Sequence, residues 1–204
     1  HINHPTDWLQ GYKNPGNARK PENVEFFADL LRRYPSCLGI EVLNMVDGPN
    51  RCDRILWDEL LKVLLPYGER NVWGFGNSDA HRVREIDTAF MDFILPEYSL
   101  ENLRSAMERG TFFPQARYAK NELGEDFVGE GPIPCVKGLA VDNENDVISV
   151  FGENCTAVDW IADGEVIKTD EGAKSSINLV DYADKIGCYV RFQLRGKGGI
   201  CMSQ

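Results

Sequence analysis

Asp79 and His81 stand two residues apart after a short apolar run, residues 71–76, that reads as a strand. On an extended chain, residues i and i+2 point to one side, so a carboxylate and an imidazole would converge. That pairing suits a divalent cation such as zinc, manganese or iron. Gly74 and Gly76 permit close backbone approach, and Asn77 and Ser78 could orient the ligands through hydrogen bonds. Taken alone, Asp-x-His is more often a turn cap beside a surface imidazole. Its company adds weight. His4 precedes Pro5 at the end of another strand-like segment. Glu41 lies inside the apolar run Leu38–Leu43, where a carboxylate needs a partner. Asn44, at the end of that run, could orient a ligand. Asp7, Trp8, Arg19 and Arg82 are near these positions in sequence, although loop charges of this kind are mostly solvated. His1 would face away from His4 on a strand and takes no role.

Strands and helices must place these groups. Residues 1–5 read as a strand end, and a polar loop follows over about 6–20. Pro21 opens a helix whose stripe, Val24, Phe27, Ala28 and Leu31, follows i, i+3, i+4, i+7, and Pro35 ends it. Asp53 is the expected N-cap of a second helix, with Leu56, Leu60, Val63 and Leu64 inward. Strands are expected at 38–43, 71–76 and about 88–95, and a helix from Ser99 to Arg109, stopped by Gly110. Strands alternating with amphipathic helices predict parallel units with function beyond the carboxyl ends of the strands. His4, Asn44 and Asp79–His81 all fall at such ends.

After about residue 128 the texture changes. Residues 129–134 read as a linker. Beyond them, strand-like runs at 147–150, 157–161, 165–167 and 189–194 surround Asp163-Gly164, a tight hairpin signal. Gly196–Gly199 reads as a hairpin turn and not a phosphate cradle. The expected organisation is an α/β unit over 1–128 and a small antiparallel β-sandwich over 129–204.

The 204 residues carry 22 basic and 32 acidic side chains, a net charge of −10. That balance argues against nucleic acid or an anionic membrane as the main partner. No apolar run approaches a membrane span, and no signal-peptide pattern opens the chain. None of the six cysteines forms a Cys-x-x-Cys pair, which argues against a zinc knuckle and for a reducing, cytoplasmic setting. His1 is not a natural start, so an upstream part of the same protein is expected to be missing.

Three segments in order, Asn3-His4-Pro5, Gly39–Asn44 and Gly76–His81, together resemble the later motifs of the PHP (polymerase and histidinol phosphatase) superfamily, over about residues 1–118. The helix at 99–110 is similar to the segment that closes the barrel in that family, and the trailing β unit to the appendage of its carbaryl-hydrolase-like branch. The resemblance implies the C-terminal part of a distorted (β/α)7 barrel with up to three divalent metals, zinc, manganese or iron. It implies metal-activated water attacking a small-molecule phosphoester, or a carbamate or carboxylic ester. His4, Asp79 and His81 would be metal ligands, Asp79 and His81 catalytic, and Glu41, Asn44, Asn77 and Arg82 neighbours of the substrate. The family's opening His-x-His motif is absent, so the expected metal site is partial. Two rivals remain: a non-catalytic binding module on a degenerate barrel, and a glycan-binding surface protein using Trp160 and Tyr189.

Overall fold

The computed structural model describes residues 1–9, 14–68 and 70–204. Residues 10–13 of the expected loop at 6–20 lie outside the described residues. The chain enters through a single parallel bridge, Ile2 to Ile40, and a 3-10 turn at Pro5–Trp8. A four-residue helix, α1 (Pro15–Ala18), is capped by the Asn14 side chain, which accepts from the Gly16 N–H at 2.9 Å. Helix α2 (Pro21–Arg33) buries the expected stripe of Val24, Phe27, Ala28 and Leu31. Strand β1 (Gly39–Asn44) and strand β2 (Trp73–Asn77) pair in parallel, joined by helix α3 (Asp53–Leu64).

From there the chain abandons parallel pairing. Strand β3 (Ala89–Phe93) lies antiparallel to β4 (Phe112–Ala116), with helix α4 (Leu100–Arg109) between them in sequence. The short α5 (Lys120–Leu123) follows. Seven strands complete the described chain: β5 (Cys135–Asp142), β6 (Val147–Glu153), β7 (Ala157–Ala162), β8 (Glu165–Glu171), β9 (Lys174–Asn178), β10 (Val190–Gly196) and β11 (Gly199–Met202). Asp163 and Gly164, with φ of 50° and 90°, make the two-residue turn from β7 to β8, a backbone that matches strand twist.

Three layers result. A six-stranded sheet in the order β3-β4-β11-β10-β7-β8 forms the middle. Alternation along its strands divides the core in two. Ala116, Ile200 and Met202 turn towards α2, α3, β1 and Trp57, whereas Phe113, Cys201, Phe192 and Leu194 turn towards Val150 and Ile177. The first layer is therefore helices and the parallel pair. The third is the sheet β5-β6-β9.

The (β/α)7 barrel expected from the resemblance is not what the chain forms. It is mostly β, with eleven strands in three sheets among the described residues. A barrel of that type needs parallel strands, each followed by a helix, closed on themselves. Parallel pairing here stops at Ile2, β1 and β2. Only a three-residue 3-10 helix, Val83–Glu85, lies between β2 and β3, and β3 takes an antiparallel partner. Strands from either side of residue 128 share the central sheet. No described helix is long and apolar enough to cross a membrane.

Candidate functional site

The parallel strands bring their carboxyl ends together around one side chain. Glu41 points into the protein, 1% exposed, and its carboxylate gathers three donors. Oε2 accepts the His4 backbone N–H at 2.6 Å and the Asn44 amide at 3.1 Å. Oε1 accepts the Asn77 amide at 2.6 Å. A charged acceptor with three such donors is worth far more than an unpaired buried carboxylate. Glu41 therefore ties the entry segment, β1 and β2 at the level where the sequence places its candidates.

Asn77 has a second partner. Its amide nitrogen lies 3.0 Å from His1 Nε2, and the His1 ring stacks on Phe75 with centroids 4.3 Å apart. With one amide hydrogen on Glu41, the other goes to Nε2, which leaves the His1 proton on Nδ1. His1, given no role from spacing, thus belongs to the cluster. The missed signal lies in Phe75 and Asn77 across the sheet, not in the residues next to His1.

His4 adopts a left-handed backbone, φ 30°. Its Nδ1 is buried without a hydrogen-bond partner, 3.7 Å from Asp7 Oδ2. The side chain as a whole is 36% exposed, so Nε2 is the nitrogen open to solvent. The turn that carries both groups is pinned from beneath. Asp53 Oδ1 accepts the Thr6 N–H at 2.9 Å and the Thr6 hydroxyl at 2.5 Å. Asp53 was expected to cap α3; instead it is the first helical residue, and Cys52 precedes it without a side-chain cap.

Asp53 is fully buried, and Oδ2 has no partner. Burial, with Glu41 and Asp7 nearby, pushes its pKa well above the ordinary carboxylate range, against the Thr6 hydrogen bonds. The folded protein thus holds a proton that the unfolded chain releases at about pH 3.9, the ordinary range of an aspartate. Stability from this group is complete below that pH and falls as pH rises towards the folded pKa. Asp53→Asn keeps an acceptor for Thr6 and removes the titration. Its melting temperature relative to the parent is expected to rise steadily with pH above about 4; a constant difference from pH 4 to 8 would reject the assignment.

Asp79, His81 and Arg82 lie apart from this cluster's bonds. Strand β2 ends at Asn77, and Asp79 has φ 46°, so the extended alternation expected to align Asp79 with His81 is absent. His81 Nδ1 instead faces its near neighbour, the Asp79 carbonyl, at 2.7 Å. Its backbone N–H donates to Glu85 at 2.8 Å, which together with the Arg82 N–H holds that exposed carboxylate below its ordinary range. Asp79, His81 and Arg82 are all exposed. Among the described residues, no group of three or more His, Cys, Asp or Glu side chains is arranged to hold a metal ion. The orphaned His4 Nδ1 faces a carboxylate and not an open cradle, so His4, Asp79 and His81 as placed do not fit a three-ligand metal centre. Trp160, offered as a glycan platform, is buried and donates to the Ser175 hydroxyl at 2.6 Å.

No family model, curated protein or solved structure matches the chain.

Proposed function

We propose that the chain is a hydrolase for a small phosphoester or ester, with its site at the carboxyl ends of the Ile2 segment, β1 and β2. The observation that carries this reading is the convergence of the His4 segment, Asn44 and Asn77 on the buried Glu41 carboxylate, with His1 joined to the cluster through Asn77. His4 has the arrangement of a general base: a carboxylate on its Nδ1 side and Nε2 open to water. The 3.7 Å separation from Asp7 is loose, as such pairs often are before substrate binds. A water at Nε2 gives its proton to the imidazole while its oxygen bonds to phosphorus or the acyl carbon. The leaving oxygen departs with that proton. His1, held on Asn77 in the same cluster, is assigned as donor for the negative oxygen that develops. The order of motifs that resembles metal-dependent phosphoesterases supports the reaction class; no step here passes through a metal.

The test is turnover of p-nitrophenyl phosphate and p-nitrophenyl acetate by the chain and by His4→Gln, each with and without a chelator. His4→Gln is expected to lose roughly a hundredfold or more in kcat. Undiminished turnover by His4→Gln, or none by the parent chain, rejects the proposal. Loss of parent activity on chelation would transfer the water-activating role to a divalent cation on the same face.

A further inference from the structure

The opposite end of the parallel pair carries a groove that the hydrolytic reading does not use. Two adjoining cavities, of about 540 and 450 Å³, share Pro35, Leu38 and Glu108. They lie where β1 and β2 begin, between the loop after α2 and helix α4. The floor is apolar: Leu38 and Trp73 on one side, Leu103 and Met107 from α4 on the other. Leu100, Leu103 and Met107 fall on one helical stripe, yet Ala106 is the one residue of α4 that is fully buried. An amphipathic helix normally covers such a stripe with protein. Here it faces the groove. Trp73 is fixed in place, its indole N–H donating to the Glu108 carbonyl at 3.2 Å. Gly110 lies so close that a Cβ there would stand 2.6 Å from the Trp73 ring.

At one end of this apolar channel lies Arg70. Its guanidinium is held by backbone carbonyls alone: Nε donates to Asn71 at 3.3 Å, one terminal nitrogen to Leu31, and the other to Cys37 at 2.6 Å. Among the described residues, no carboxylate pairs with it. Partial burial lowers its pKa. Each terminal nitrogen has two hydrogens, so one on each remains for an acceptor. The other charges at the rim are already matched: Arg104 pairs with Glu108 at 2.9 Å, and Arg32 with Glu25 at 2.7 Å. A rigid cation at the end of an apolar groove of this volume is the form of a site for a small amphiphile.

We propose that this groove binds a monocarboxylate with a hydrocarbon body, the carboxylate on Arg70 and the chain along Leu38, Leu103 and Met107. The occupant is committed by charge and shape. A guanidinium with a hydrogen left on each terminal nitrogen suits a carboxylate, and the apolar walls of the groove suit a hydrocarbon body.

The test uses calorimetric titration of the whole chain with octanoate and with 1-octanol, which has the same body and no charge. Octanoate is expected to bind at one site per chain, and octanol roughly tenfold or more weakly. The paired substitution Leu103→Glu and Met107→Glu, on the half-buried groove face of α4, is expected to weaken octanoate by at least roughly tenfold. Ser36→Trp, which obstructs the groove from the loop, is the second variant and carries the same expectation if the first fails to fold. No saturable octanoate binding, equal affinity for octanol, or full affinity in a folded groove variant each overturns the proposal.

Discussion

Arg54→Met is expected to remove about 3–5 kcal/mol of folding stability, a large share of the roughly 5–15 kcal/mol that holds a domain together. The Arg54 side chain is 3% exposed and sits among two carboxylates and a carbonyl. It bonds Asp47 through both terminal nitrogens at 2.8 Å, Glu122 at 2.6 and 2.8 Å, and the Val42 carbonyl at 3.1 Å. Asp47 also accepts the Lys120 N–H at 2.5 Å, which anchors α5. Methionine fills most of the volume and leaves Asp47 and Glu122 facing each other without a cation. The cost is thus of stranded charge, not of lost packing. A triple variant, Arg54→Met with Asp47→Asn and Glu122→Gln, removes the charges together and is expected to recover at least half of the loss. Urea midpoints measure both. An Arg54→Met midpoint within about 1 kcal/mol of the parent would show that the cluster behaves like surface ion pairs.

The second large effect is at the contact between the first two layers. Asp58→Ala is expected to cost about 3–5 kcal/mol, read from thermal unfolding. Asp58 on α3 meets Arg191 on β10 through both oxygens at 3.1 Å, and accepts the Tyr189 hydroxyl at 2.5 Å. Arg191 is buried, lies 5.0 Å over the Trp57 ring, and already has one unpartnered nitrogen. Without Asp58 its guanidinium has no hydrogen-bonded carboxylate. Asp58→Asn keeps one acceptor oxygen and is expected to lose less than the alanine variant. Burial and the Asp58 charge also push the Tyr189 hydroxyl above its ordinary pKa, which keeps it a donor to Asp58. Equal losses for Asn and Ala would assign the effect to packing rather than to hydrogen bonding.

Local structure was legible in the sequence wherever a local rule decides it. The stripes of α2 and α3, the Gly110 stop of α4, and the Asp163-Gly164 turn all appear where period and turn chemistry place them. Topology was not legible, because pairing partners lie far apart. Nothing in Phe112–Ala116 announces a strand that pairs with β3 on one side and β11 on the other. The barrel expectation rests on the resemblance of three short motifs, which do not determine strand pairing, and it fails where β3 takes β4 as an antiparallel partner. In the candidate site, Glu41 was marked because a carboxylate in an apolar run demands donors, and three donors surround it. The convergence expected of Asp79 and His81 presumes an extended backbone, and the left-handed turn at Asp79 removes that premise. Asp53 was read as a cap because its neighbours are helical. Its real partner, Thr6, is 47 residues away.

Strand β11 has a consequence for how the protein comes to be. It occupies an interior position in the central sheet, between β4 and β10, yet its residues follow every other strand in the chain. Gln115 and Cys201, side by side in the sheet, are 86 positions apart. Strand β4 must therefore emerge from the ribosome long before its neighbour is made, with β3 as its one hydrogen-bonded companion. During synthesis, at roughly 5–20 residues per second, that hairpin presents an open edge for several seconds. Such an edge recruits whatever strand comes first. Slow closure, dependence on a chaperone at high expression, and exchange of β11 between nascent copies are the failures this architecture invites.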